Sequence, residues 1–332
     1  MRPTGIEAAA RILARLDGAA GLVIDADVHV TDPRNFEVTA EYFHGRPISA
    51  EDAIREMDMA GVDMALIWQN PAATRYGLRA DDNVQALAGA NRYVRDSAAR
   101  YPDRFIPAGW LDPKACGLEN TLALAETLVY DWGFPIVKLN PAQNRYAIDS
   151  PESIAAVDRI VELGAMPAFH FGADSPFTPA EGLRRVAERH PERPLIAVHM
   201  GGGGAGYLEA ESLYAAARRL GIECPNIRYV LSAKRDPHME SDLIAYQLAG
   251  EPFCHHLFCG SDAPYGRMTW NFGGFRAMFS SLQNSEHTDA RVRTHPVLFT
   301  AEAVSGYLGG NLARLVAEGC RRMVATGQPC SI

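Results

Sequence analysis

Short apolar runs recur about every 35 residues along this chain, and most give way to polar residues or glycine at their C-terminal ends. The first, residues 21–24, leads into Asp25-Ala26-Asp27-Val28-His29-Val30. It reads as a strand buried on both faces, as in a parallel sheet. The others fall at 62–68, 104–110, 135–140, 165–171, 194–200, 227–233 and 255–262. Helical patterns separate them. Ser49 caps a helix that Gly61 ends, Pro102 stops another over 81–101, and further helices are expected over 117–132, 151–163, 179–190, 207–220 and 238–249. Helices over 271–283, 300–306 and 309–325 finish the chain.

Eight strands alternating with helices predict an α/β fold, a (β/α)8 TIM barrel with extra N- and C-terminal helices. A doubly wound open sheet is the alternative, and eight regular units favour closure. Residues 1–20 predict an amphipathic helix packed outside the barrel. Glu7, Arg11 and Arg15 interrupt it, so no signal-peptide core forms. With no linker rich in Pro, Gly and Ser, residues 1–332 are expected to form a single domain.

Composition narrows the partners. The chain has 332 residues, 47% of them hydrophobic, and a net charge of −8. No basic run exceeds two residues, which argues against nucleic acid and anionic membranes as partners. No apolar stretch approaches the roughly 20 residues that span a bilayer. Six cysteines without a C-x-x-C pair read as reduced thiols in a cytoplasmic protein.

In such a barrel the chemistry gathers where strands run out into their βα loops. Asp27 and His29, two apart, face the same side of strand one. Lys138 and Asn140 end strand four, His170 strand five, His199 strand six, Ser232 strand seven and Asp262 strand eight. Any one of these could be a hydrogen-bonded structural residue. Converging on one face, they predict a metal or catalytic cluster. Imidazole and carboxylate donors without thiolates suit Zn²⁺ or a first-row ion such as Mn²⁺.

The chain resembles the amidohydrolase superfamily, in the amidohydrolase-related branch that includes the aminocarboxymuconate-semialdehyde decarboxylase-like enzymes. The markers, spread from about residue 22 to 318, are Ile24-Asp-Ala-Asp-Val-His29, Phe169-His-Phe171, Val198-His-Met-Gly-Gly202, Gly260-Ser-Asp-Ala-Pro264 and Gly310-Asn-Leu-Ala-Arg-Leu315. The resemblance implies one divalent metal, Zn²⁺ first and Mn²⁺ second, on Asp27, His29, His170 and Asp262. It makes His199 and Asp262 the catalytic pair and implies a homodimer or larger assembly. Where the superfamily's common strand-one motif is His-x-His, this chain has Asp27-Val-His29, which resembles several non-oxidative decarboxylases of the branch. The added negative charge would make the ion a weaker Lewis acid, favouring chelation of a carboxylate over generation of hydroxide.

The reading is therefore a metal-dependent enzyme for a small carboxylate-bearing substrate, tilted towards decarboxylation. Hydrolysis of a lactone or amide is the alternative, and a non-catalytic metabolite-binding barrel is a further one. Arg46, Lys138, Trp68, Trp110, Ser232 and Tyr265 are the expected substrate contacts, with Arg34, Arg75, Lys234, Arg235 and Arg267 as further cations. Lys138 is more simply an ion-pair partner than a carbamylated bridge between two metals. The run Gly201-Gly-Gly-Gly-Ala-Gly206 matches a dinucleotide fingerprint in form, but the next strand ends Leu231-Ser232-Ala233 without the required acid.

Overall fold

A computed structural model describes residues 5–18, 21–41, 45–173, 175–202, 211–233, 238–295 and 298–326. Its strands are β1 (Ile24–Val30), β2 (Met64–Gln69), β3 in two pieces (Phe105–Pro107 and Gly109–Leu111), β4 (Ile136–Leu139), β5 (Met166–Gly172), β6 (Leu195–Gly201), β7 (Ile227–Val230) and β8 (Leu257–Phe258). Each pairs in parallel with its neighbour in sequence. At the kink in β3, Ala108 N–H donates to the Ile67 carbonyl at 3.0 Å, carrying the sheet across the break. Ala26 N–H donates to Cys259 O at 3.0 Å and His29 N–H to Ala263 O at 2.6 Å, so the last strand closes onto the first. The result is the expected (β/α)8 barrel.

The longer helices are α1 (Gly5–Leu16), α2 (Ala50–Ala60), α3 (Ala80–Arg100), α4 (Leu118–Glu126), α5 (Pro151–Glu162), α6 (Ala180–Arg189), α7 (Glu211–Glu223), α8 (Met239–Ala249), α9 (Met268–Leu282) and α10 (Asn311–Thr326). Local chemistry sets their ends. Ser49 Oγ accepts from Asp52 N–H while the Asp52 carboxylate accepts from Ser49 N–H, a reciprocal cap that starts α2. Gly61, at φ 63°, takes the left-handed conformation that ends it. The strands are buried on almost every residue, because one face fills the barrel and the other meets helices. α1 packs on α10.

Three elements differ from the reading of the sequence. The eighth strand is only Leu257–Phe258, and the seventh stops at Val230, so their polar tips stand on irregular backbone. The helix expected over 117–132 widens into a π turn at Thr127–Asp131. Lys234, Arg235 and the part of the glycine run from 203 to 206 lie outside the described residues. No described helix is long and apolar enough to cross a membrane. The five cysteines among the described residues are free thiols.

His256, just before β8, is buried; burial, with the Arg228 charge beside it, pushes its imidazole down to about 3. Unfolding returns it to about 6.5, so between those values the unfolded chain binds the extra proton and stability falls as pH drops. One such group contributes a slope of about 1.4 kcal/mol per pH unit. In urea unfolding from pH 6.5 to 4.5, His256→Leu should flatten the acid loss by about that slope. An acid limb identical to wild type would contradict this origin.

Candidate metal centre

The cluster starts from Asp27, which is wholly buried. Its two oxygens face different partners. Lys138 Nζ lies 3.4 Å from Oδ1, and Ser232 Oγ donates to Oδ2 at 2.6 Å. Burial would raise this carboxyl, but the Lys138 charge and the His29 imidazole outweigh it and hold it well below the usual range. Lys138 is itself fully buried, with Nζ 4.8 Å from the Trp68 ring centroid and 5.2 Å from that of Trp110. Two indole faces and one carboxylate thus enclose the ammonium.

The imidazoles are fixed by what their other nitrogens touch. His29 Nδ1 lies 3.0 Å from the Gln69 carbonyl, which can only accept, so Nδ1 carries the hydrogen and Nε2 presents a lone pair. That lone pair sits 3.5 Å from oxygens of both Asp27 and Asp262. Acceptors facing one another at that spacing call for a positive charge between them. Burial depresses the His29 imidazole, yet Asp262 and Asp27 reverse the direction and raise it, which is the same demand met by a proton.

A second chain of hydrogen bonds sets the other two rings. His199 Nδ1 meets the Ser232 carbonyl at 3.0 Å and Ser232 Oγ at 3.1 Å, so it donates there. Its bare Nε2 accepts from His170 Nδ1 at 3.1 Å, which leaves His170 Nε2 with a free lone pair. Burial drives His170 well below its usual value and lowers His199, so both rings are neutral. The sequence His170, His199, Ser232, Asp27, Lys138 is one continuous network.

The backbone is strained at the same points. His199 (φ 80°), Met200 (φ 48°), Ala233 (φ 44°) and Asp262 (φ 57°) all lie in the left-handed region that residues with side chains rarely occupy. Asp262 keeps 13% of its side-chain surface exposed, while that of Asp27 has none. Gly260 is needed just before it: an added Cβ would stand 2.8 Å from Val230 Cγ1 and 3.2 Å from the Cβ of Asp27 and of Ser232.

Asp27, His199 and Asp262 place side-chain donor atoms within 4.8 Å of one another, His199 with both nitrogens already hydrogen-bonded, and His29 joins them through both carboxylates. Two carboxylates and neutral imidazoles with free lone pairs are the donors a divalent cation takes, so the residues fit the ion expected from the sequence. A second group, Glu251, Cys254 and His255, lacks this quality. His255 Nε2 is 2.6 Å from Glu251, and Arg314 donates to its Nδ1 at 3.3 Å, so neither nitrogen is free.

The expected substrate contacts fall in different places. Trp68, Trp110, Lys138 and Ser232 are buried; Lys138 and Ser232 both meet Asp27, and the two indoles flank the lysine. Arg46 is exposed and its charge acts on Asp52. Arg34 is spent on Asp32, and Arg75 meets Glu41. Asn140 caps a short helix through Gln143 N–H. Arg267 is exposed at the N-terminus of α9. Tyr265 does stand at the mouth: it is 44% exposed, its ring is edge-on to His29 at 5.6 Å, and its hydroxyl donates to Asn70 Oδ1. A cleft of about 220 Å³ lined by Arg34, Arg92, Tyr93 and Asp96 involves none of the clustered residues.

Comparison with known proteins follows the geometry. The amidohydrolase family model matches residues 24–315. A 5-carboxyvanillate decarboxylase from Sphingomonas paucimobilis superposes with a TM-score of 0.63 at 14% identity, over 89% of this chain and 99% of that one. A dihydroxybenzoic acid decarboxylase from a Polaromonas species, solved with manganese and 2-nitroresorcinol, gives 0.61 at 15% identity, over 89% and 96%. An uncharacterised TIM-barrel protein from Bordetella bronchiseptica gives 0.59 at 17% identity, over 90% and 99%. At these identities the structural likeness establishes the fold.

Removing one partner of a buried ion pair strands the other charge, at a cost of about 3–5 kcal/mol. Lys138→Met should lower the unfolding free energy of metal-free protein by that order in urea titration, and saturating Mn²⁺ should recover part of the loss. A metal-free variant as stable as wild type would contradict the pairing.

Proposed function

The chain belongs to the amidohydrolase family, and from that premise we propose that it is a mononuclear metal-dependent carboxy-lyase acting on a small aromatic or planar substrate with one carboxylate. The observation that carries the reading is Asp27, buried in the first position of the strand-one pair and balanced by Lys138. With a divalent ion in place, two carboxylates, one ammonium and neutral imidazoles leave about one net positive charge, which suits a single substrate carboxylate.

In this proposal Asp27, His29, His170 and Asp262 hold the ion, Zn²⁺ or Mn²⁺. When bound, such an ion would supply a Lewis acid for an anionic substrate. The chain's own residues do the rest. Lys138 and Ser232 hold both oxygens of Asp27, and His199 fixes the ring of His170. Tyr265, edge-on to His29, borders the substrate's ring. Asp262 has the solvent access that Asp27 lacks, so in this proposal it relays a proton from solvent. It delivers that proton to the carbon bearing the carboxylate, the carbon–carbon bond breaks, and the electron pair of that bond takes up the proton.

Loading stripped protein with Mn²⁺ or Zn²⁺ and screening aromatic carboxylates beside lactones and amides tests this directly. CO₂ release from a carboxylate, lost on chelation and reduced at least about 100-fold in Asp262→Asn, is the expected result. Turnover of a lactone or amide with no CO₂ from any carboxylate would move the assignment to hydrolysis, with Asp262 taking a proton from the attacking water.

A further inference from the structure

We propose that Asp25 is a positioning residue: one oxygen of its side chain ties the backbone of Asp27 to that of Ser261 across the seam between β1 and β8 and so sets the separation of Asp27 and Asp262. The inference rests on the reading of those two residues as metal ligands.

The seam is regular on either side of the site. Ala26 N–H reaches Cys259 O, and beyond it His29 N–H reaches Ala263 O, where Val28 and Ala263 form a bridge. On its other edge, in the pairing with β2, the register of β1 shifts between Asp25 and Val28. Such a bulge turns a side chain to a new direction and leaves backbone groups unpaired. Along the β1–β8 seam the amides of Asp27 and Ser261 lie between the two ladder bonds, and both donate to one atom, Asp25 Oδ1, at 3.1 and 2.8 Å. That oxygen is thus bonded to the backbone of one carboxylate ligand and to the residue preceding the other.

The surroundings allow little substitution for this bond. Asp25 and Ser261 are both buried, so water is not at hand to take over. Ser261 Oγ accepts from Ala263 N–H at 3.1 Å, binding the next turn to the same point. Asp25 Oδ2 is buried with no hydrogen-bond partner among the described residues, a cost a merely space-filling residue would not carry. Opening the seam by a few tenths of an ångström would move the carboxylates apart on the scale at which metal coordination fails.

The acceptor oxygen can be kept or removed by substitution. Asp25→Asn retains an Oδ1 at nearly the same size, whereas Asp25→Leu, though bulkier, loses both bonds. In Mn²⁺ titrations of stripped protein followed by the paramagnetic resonance of the free ion, Asp25→Leu should weaken binding about 10- to 100-fold, as loss of a residue supporting a ligand does. Asp25→Asn should stay within about threefold of wild type, and both should keep the wild-type circular dichroism. Binding by Asp25→Leu equal to wild type, or by Asp25→Asn as weak as Asp25→Leu, would overturn the proposal. Amide hydrogen exchange on wild type covers the case of a variant that does not fold. The Asp27 and Ser261 amides should be protected as well as the Ala26 and His29 amides, and exchange at loop rates would also overturn it. Wild-type protein that binds no Mn²⁺ or Zn²⁺ at all would instead defeat the metal reading on which this rests.

Discussion

The structure depends on the burial of one negative charge. Asp27 has no solvent contact, and an isolated carboxylate in that setting would take up a proton. Here Lys138 sits against one oxygen and Ser232 against the other. Trp68 and Trp110 surround the lysine in turn, so its charge has no other outlet. The carboxylate is kept ionised and oriented in the middle of a barrel that otherwise excludes charge.

Everything around Asp27 follows from keeping that charge useful. Ser232 links it to His199, and His199 links it to His170, so the tautomers of both rings are set by one chain of donors. His29 is set independently by the Gln69 carbonyl. The left-handed backbone at His199 and Asp262 aims both side chains at the same space. These constraints cost stability locally, and the regular barrel supplies it. Asp27 also bears on the type of chemistry. A carboxylate where a histidine is commoner lowers the Lewis acidity of a bound ion, and Lys138 restores a net charge that an anionic substrate can meet.

Much of this was legible in the sequence because barrel strands announce themselves by apolar runs and their catalytic ends by polar residues. Asp27, His29, His170, His199 and Asp262 were each readable that way, and the structure places them side by side. What escaped was of two kinds. Side-chain partners within a strand are not written in periodicity: that Trp68 and Trp110 flank the Lys138 ammonium emerges only once β2, β3 and β4 are paired. Backbone groups carry no sequence signal, so the Gln69 carbonyl could not be foreseen. Asp25 lay in the opening motif, but its role needed the backbone amides that only the closed barrel brings to it.

The central claim is that this cluster holds a single divalent ion through Asp27. Anomalous diffraction from crystals of Mn²⁺-loaded protein, collected either side of the manganese edge, tests it most directly. The account predicts one peak within coordination distance of Asp27, His29, His170 and Asp262, with an unmodified Lys138 still on the Asp27 carboxylate. A peak at Glu251, Cys254 and His255 in its place, or a pair of peaks bridged by a modified Lys138, would contradict it.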